Sequence, residues 1–198
     1  MPGAKDTLKL YLQTSREALL WKLDGLGERD ARRPLTASGT NLLGLVKHVG
    51  SMEFEYFGLV FDRPASEPLP WLADDADDNA DMWATEDESL EWVLDFYRRS
   101  WAHADATIDA LGLDDAGRVP WWPADRQDVT LHRILVHMIN ETARHTGHAD
   151  IVREQIDGAI GLRRENTNLP EHDAQWWTGY VDKLERVADA AERRWSSR

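Results

Sequence analysis

One stretch decides the fold of this chain: residues 130–158 read TLHRILVHMINETARHTGHADIVREQIDG. At about 100° per residue, four of its apolar residues point in nearly the same helical direction: Ile134, Met138, Val152 and Ile156. The pattern predicts one long amphipathic helix that starts at Thr130 and ends before Gly158. It has the length and the apolar face of a helix that packs in a bundle.

Apolar residues at helical spacing predict four further helices. Their approximate ranges are 6–25, 38–61, 85–111 and 173–195. Asp6 is the expected N-cap of the first helix, and the pair Thr85 and Glu88 predicts a capping box at the start of the third.

The stretches between the predicted helices, 62–85 and 113–129, are interpreted as irregular loops, and no repeat, βαβ alternation or hairpin signal is found. The fold class that follows is all-α, a four-helix bundle plus an additional C-terminal helix. The long loop after the second helix favours a crossover connection. We expect residues 1–198 to form a single domain.

Composition narrows the classes of function. The 198 residues include 36 acidic and 23 basic side chains, a formal net charge of −13. This balance argues against a nucleic acid or an anionic membrane as the main partner. The chain has no cysteine, which excludes disulfides, Cys-ligated zinc, iron–sulfur clusters and a cysteine nucleophile. Without a signal-type or membrane-length apolar run, we expect a cytoplasmic protein.

A carboxylate lies in the centre of the apolar face of the fourth helix. Glu141 and His145 are four residues apart in this stripe, so their side chains are neighbours. Because an unpaired buried charge is costly, Glu141 must be paired, protonated or bound to a metal. One interpretation is a buried Glu–His pair, or a face that is less buried than the pattern indicates. The other is a pair of ligands to one divalent ion.

A third ligand must then come from another helix, and His48 on the flank of the second helix is the candidate. By itself, such a histidine is more often a satisfied core or boundary residue, and it gains weight only because the fourth helix offers two partners. Together, His48, Glu141 and His145 would leave an open coordination position, as catalytic zinc sites do. His148 lies beside the stripe and could replace one ligand or orient one. The other histidines are interpreted as structural or solvated: His103, His132, His137 and His172.

Two segments carry the motifs of a known family: LVKHV at residues 45–49 and ETARHTGHADIVRE at residues 141–154. In these motifs, and in helix order over most of its length, the chain resembles the DinB-like superfamily, and in particular its mini-circle branch associated with mycothiol S-transferases. The resemblance implies a four-helix bundle with a divalent metal near one end. The ligands carried over by position are His48, Glu141 and His145.

The resemblance also implies a chemistry. Many relatives have a histidine in place of Glu141, and this chain resembles the carboxylate-bearing branch, which includes mycothiol-dependent isomerases. The implied metal is zinc, with nickel or another first-row ion as alternatives. The implied co-substrate is a low-molecular-weight thiol such as mycothiol, whose thiolate attacks an electrophilic substrate. No residue is identified as a general base.

Three functions stay open at this point. The first is a metal-dependent thiol S-transferase whose partners are a small-molecule thiol and an electrophile. The second is a metal-dependent hydrolase or isomerase in which bound water reacts. The third is a non-enzymatic metal-binding stress or interaction bundle. Tryptophan-rich helical faces make a homodimer a reasonable expectation, and neither nucleic acid nor a membrane is an expected partner.

Two other features receive structural interpretations. Trp121 and Trp122 lie in a Pro-bracketed loop just before the fourth helix, and they either line a pocket mouth or anchor the loop. Residues 62–91 contain eleven acidic side chains and one arginine. This acidic stretch is interpreted as a solvated loop and helix cap, since its spacing matches no EF-hand.

Overall fold

The computed structural model describes residues 2–196. The chain divides into two compact units, Met1–Asn166 and Thr167–Arg198, and each is described by itself. The single domain expected over 1–198 therefore stays a prediction. Among the described residues, no helix combines the length and the apolar character that a bilayer crossing requires.

The first unit is a helical bundle with one small hairpin. Its elements are α1 (Ala4–Trp21), α2 (Glu28–Arg32), α3 (Leu42–Phe57), α4 (Leu90–Ala110), β1 (Ala116–Arg118), β2 (Asp128–Thr130) and α5 (Leu131–Asp157). Helix α3 packs against both α4 and α5, and α1 packs against α5. The second and fourth helices predicted from the sequence are thus α3 and α5, and the all-α bundle is confirmed.

Helix α5 follows its prediction closely. The Thr130 hydroxyl caps it by accepting a hydrogen bond from Arg133 N, and Gly158 ends it with φ +77°. The predicted stripe faces the core, since Ile134 and Met138 are fully buried and Val152 is 2% exposed. Along the chain, Glu141 and His145 lie between the apolar groups that contact the two halves of the core.

Other boundaries differ from their predictions. Helix α1 begins at Ala4, and Asp6 sits in its first turn, where its carboxylate accepts from Gly3 N instead of acting as the N-cap. Helix α4 begins at Leu90 with Ser89 as its cap. The Thr85–Glu88 pair does form, but it closes a separate turn, and the same Glu88 oxygen also binds Lys47.

The predicted loop 113–129 contains an unpredicted hairpin. Strands β1 and β2 pair antiparallel, with Gly117 opposite Val129. Each strand has only three residues, too few to show alternation of apolar and polar side chains. The hairpin leads directly into α5 and brings Trp121 and Trp122 to the bundle.

A buried ion cluster joins α1, α3 and α4. The Arg16 guanidinium makes two hydrogen bonds to the Glu53 carboxylate, at 2.8 and 2.7 Å, and a third to Asp105 at 2.9 Å. The side chains of Arg16 and Glu53 are 1% and 0% exposed. The ring of Trp101 lies 5.7 Å from the guanidinium carbon of Arg16. The bidentate geometry matches charge to charge inside the bundle.

The second unit contains α6, which spans Ala174–Trp195 as predicted. The Asp173 carboxylate caps it by accepting from Trp176 N. Within this unit, the His172 ring stacks on Trp176 with centroids 3.8 Å apart, and Trp176 stacks on Tyr180 at 5.2 Å. The aromatic residues of the C-terminal helix thus pack on one another along its first turns.

Candidate metal site

The three residues singled out in the sequence meet in the structure. One ligand atom from each of His48, Glu141 and His145 lies within 4.8 Å of the others. Nε2 of His48 is 3.4 Å from Glu141 Oε1, and Nε2 of His145 is 2.9 Å from the same oxygen. The two imidazole rings have centroids 4.7 Å apart and cross edge to face. Both histidines therefore present the same ring nitrogen to one carboxylate.

Helix geometry explains the convergence. Glu141 and His145 occupy successive turns of one face of α5, and the packing of α3 on α5 brings His48 opposite them. The side chains of His48, Glu141 and His145 are 15%, 24% and 11% exposed. The cluster is thus shielded by the bundle and still reached by solvent through Glu141.

This donor set fits a first-row divalent cation. Nitrogen and oxygen ligands lie about 2.0–2.2 Å from zinc, so in a tetrahedron they stand about 3.3–3.5 Å apart. The separation of His48 Nε2 and Glu141 Oε1, 3.4 Å, falls in that range, and the shorter His145 contact needs only a small opening. Two neutral imidazoles and one carboxylate would offer a cation three donors and one negative charge.

The charges of the cluster are strongly coupled. Hydrogen bonds from His145 and His48 hold the pKa of Glu141 far below its ordinary value of 4.5, so this carboxylate is ionised at neutral pH. Burial alone would lower the pKa of His48, but its hydrogen bonds to Asp81 and Glu141 outweigh it and raise that pKa to about 9. The protein without a cation therefore balances Glu141 with a proton on His48.

The remaining histidines do not join the cluster. The ring of His148 lies 5.4 Å from that of His145, and His148 is exposed. Burial lowers its pKa, with a further contribution from His145. Among the described residues, only the His48–Glu141–His145 group has the mutual distances of a metal site.

Sequence reasoning missed Asp81. Its Oδ2 lies 2.6 Å from Nδ1 of His48, on the opposite side of the ring from Glu141, and its side chain is 16% exposed. The hydrogen bond to His48 outweighs burial and lowers the pKa of Asp81. Asp81 is one of eleven acidic residues in the stretch interpreted as a solvated loop, and no local pattern distinguishes it from the others.

The two tryptophans of the hairpin anchor it to α3. The indole N–H groups of Trp121 and Trp122 both donate to the hydroxyl of Tyr56, at 3.3 and 3.0 Å. The His137 ring packs on Tyr56 with centroids 4.6 Å apart, and Arg133 lies over the ring of Trp122. Trp122 also packs against the apolar core, whereas Trp121 is 44% exposed. These contacts support loop anchoring.

Comparisons with known proteins agree with the helical fold. A model of the family described as mycothiol-S-transferase matches residues 7–158. No curated protein matches the chain. A crystal structure of a conserved protein from Enterococcus faecalis is similar, with a TM-score of 0.62 and 17% identity, over 80% of this chain and 100% of that one. The family match and this likeness confirm the all-α, DinB-like bundle.

Proposed function

This chain belongs to the mycothiol S-transferase family, and from that membership we propose that it is a metal-dependent S-transferase. Its co-substrate is a low-molecular-weight thiol of the mycothiol type, and its second substrate is a small electrophile. The observation that carries the proposal is the convergence of two imidazole Nε2 atoms on one ionised carboxylate, in a cluster that solvent can reach. We also propose that the protein is cytoplasmic, and cell fractionation can test this localisation.

His48, Glu141 and His145 hold the cation. Zinc is the first candidate because the donors are two nitrogens and one oxygen, which leave an open position; nickel and other first-row ions accept the same set. A divalent cation held there would lower the pKa of a coordinating thiol and make its thiolate available at neutral pH. The thiol must come from outside, because the chain has no cysteine.

The reaction proposed is the transfer of a carbon group from the electrophile to the sulfur of the thiol. The sulfur of the thiol forms a bond to the electrophilic carbon, and the bond from that carbon to its leaving group breaks. The leaving group departs with the electron pair, and the thiol proton goes to solvent. The side chains of the site hold and orient the reactants in this scheme, and none of them needs to move a proton.

The test compares purified wild type with the double variant Glu141→Ala/His145→Ala. We expect the wild type to bind about one equivalent of zinc and to conjugate mycothiol to a test electrophile such as monobromobimane. The double variant should lose both properties. The matched control is Glu154→Ala/His132→Ala, which removes the same two side-chain types from exposed positions of α5 and should behave as wild type.

Other outcomes identify other functions. Equal metal content in wild type and in the double variant would overturn the site assignment. Turnover of an electrophile that is independent of any thiol, and lost in the double variant, would favour a hydrolase or isomerase that uses water. Tight metal binding without turnover of any probe would favour the non-enzymatic bundle.

A further inference from the structure

The long connection between α3 and α4 places a carboxylate against the second ring nitrogen of a proposed metal ligand. Residues Ala80–Met82 form a short 3-10 turn, and Asp81 in this turn contacts Nδ1 of His48 at 2.6 Å. The opposite nitrogen of the same ring, Nε2, faces Glu141. His48 is thus held between two carboxylates, one in the ligand cluster and one outside it.

We propose that Asp81 is a positioning residue of the metal site, acting through His48; this inference rests on the proposed function. A carboxylate that accepts from one ring nitrogen keeps the proton there, so the other nitrogen has its lone pair free for a cation. It also prevents rotation of the ring and increases the basicity of the ligating nitrogen. In this role Asp81 touches neither the cation nor the substrates.

The turn that contains Asp81 is hydrogen-bonded to α3 both before and after Asp81 in the sequence. Lys47, the residue before His48, extends its ammonium to the carbonyl oxygens of Ala80 and Trp83, at 3.3 and 3.1 Å. The same ammonium binds Glu88 at 2.8 Å and lies over the ring of Trp71 at 4.1 Å. One buried lysine therefore holds the backbone before and after Asp81.

A glycine lets the turn come this close. A Cβ placed on Gly44 would lie 1.8 Å from the carbonyl oxygen of Met82, so any other residue would push the turn away from α3. The Asn41 amide donates to the same oxygen at 3.2 Å. Gly44, Lys47 and His48 thus follow one another along α3, and the first two position the partner of the third.

The other imidazole of the site has no such support. Nδ1 of His145 is buried and has no hydrogen-bond partner within the part of the chain that the structure describes. His145 is instead positioned by its own helix, one turn after Glu141. The site is therefore asymmetric: His145 is set by α5, whereas the orientation of His48 depends on a residue 33 positions away in a loop.

The test measures zinc affinity by competition with a chromophoric chelator, together with the visible spectrum of the cobalt(II)-loaded protein. We expect Asp81→Ala to weaken zinc binding about 10–100-fold, the usual effect of removing such a partner, and to shift the cobalt bands. Asp81→Asn should give a smaller loss, because its amide oxygen still accepts from Nδ1. The control Asp78→Asn changes the same charge at an exposed position of the connection and should leave both readouts unchanged.

A second variant tests the route by which Asp81 is held. Lys47→Met keeps the aliphatic packing and removes the ammonium, so it should also weaken zinc binding although Asp81 is intact. Circular dichroism identifies any variant that fails to fold. If Asp81→Ala or Lys47→Met fails to fold, the zinc affinity of Asp81→Asn decides the role of Asp81.

Two results keep the inference separate from the proposed function. If Asp81→Ala and Asp81→Asn bind zinc as tightly as wild type while His48→Ala does not, the role of Asp81 is wrong and the metal site stands. If His48→Ala also binds zinc as wild type does, the metal site itself is wrong.

Discussion

Helix α3 carries two charged clusters that differ in how their charged groups are hydrogen-bonded. Glu53 points to Arg16, and every nitrogen of that guanidinium has an acceptor. His48, five residues earlier, points to Glu141, where two imidazoles share a single carboxylate oxygen. The first cluster is complete without any ligand. The second brings two ring nitrogens to one carboxylate oxygen, and without a cation a proton on His48 balances the charge of Glu141.

The difference shows that one helix can carry both a closed ion pair and a cluster that a cation could enter. A guanidinium and a carboxylate match in shape and charge, so nothing else can enter between them. Imidazoles can release a proton at ordinary pH and offer a lone pair, so a cation can replace the proton. Exposure follows the same division, since Glu53 is 0% and Glu141 24% exposed.

The largest expected effect is a loss of stability when the cluster of Arg16, Glu53 and Asp105 is broken. Replacing Glu53→Gln leaves the buried Arg16 guanidinium with only the partly exposed Asp105 as a counter-charge, which should lower the free energy of unfolding by about 3–5 kcal/mol. Asp105→Asn is the control, because its side chain is 41% exposed and a surface pair contributes about 0–1 kcal/mol. Urea unfolding measures both. Equal losses in the two variants would contradict the assignment of stability to the buried pair.

The next effect is the stabilisation of the cluster of His48, Glu141 and His145 by a bound metal. At a zinc concentration about 100-fold above its dissociation constant, binding should stabilise the wild type by about 2.7 kcal/mol. His48→Ala should lose most of this gain, whereas His132→Ala, at an exposed position of α5, should keep it. Thermal unfolding with and without zinc gives the comparison. A gain of the same size in His48→Ala would remove the distinction between the two clusters.

A third effect is the pH dependence of the metal-free protein. The folded pKa of His48 is raised from 6.5 to about 9, so its stabilisation is fully present below pH 6.5 and is lost as pH rises through 9. The stability difference between wild type and His48→Gln should therefore shrink between these pH values. Urea unfolding in a chelator measures it, with His132→Gln as the exposed control. A difference independent of pH would mean that His48 carries no extra proton.

The fold could be predicted where one helix carries its own signals. The capping hydroxyl of Thr130, the apolar stripe and the terminal Gly158 are all local, and α5 begins and ends where they indicate. The start of α4 differed from its prediction, because the pair Thr85 and Glu88 closes a turn of its own and Ser89 caps the helix. The hairpin β1–β2 depends on register between two short strands, which no local pattern records.

The site divides in the same way. Glu141 and His145 could be identified because a carboxylate and an imidazole in an apolar stripe require an explanation. His48 became a candidate only because α5 offers two partners, since a single histidine beside a stripe is ordinary. Asp81 could not be identified from the sequence, because its role comes from Gly44 and Lys47 on another element. The assignment of His48, Glu141 and His145 as metal ligands stays a prediction.

The spacing of the three candidate ligands has a consequence for folding kinetics. Glu141 and His145 become neighbours as soon as α5 forms, whereas His48 is 93 residues from Glu141 and arrives only when that long loop closes. The contacts of α1 with α5 close an even longer loop, as in the hydrogen bond from Thr146 to the Ser15 carbonyl across 131 residues. Early in refolding, a cation would therefore meet a two-ligand helix. It would be held firmly only after α3 had packed on α5 and brought His48 to the site.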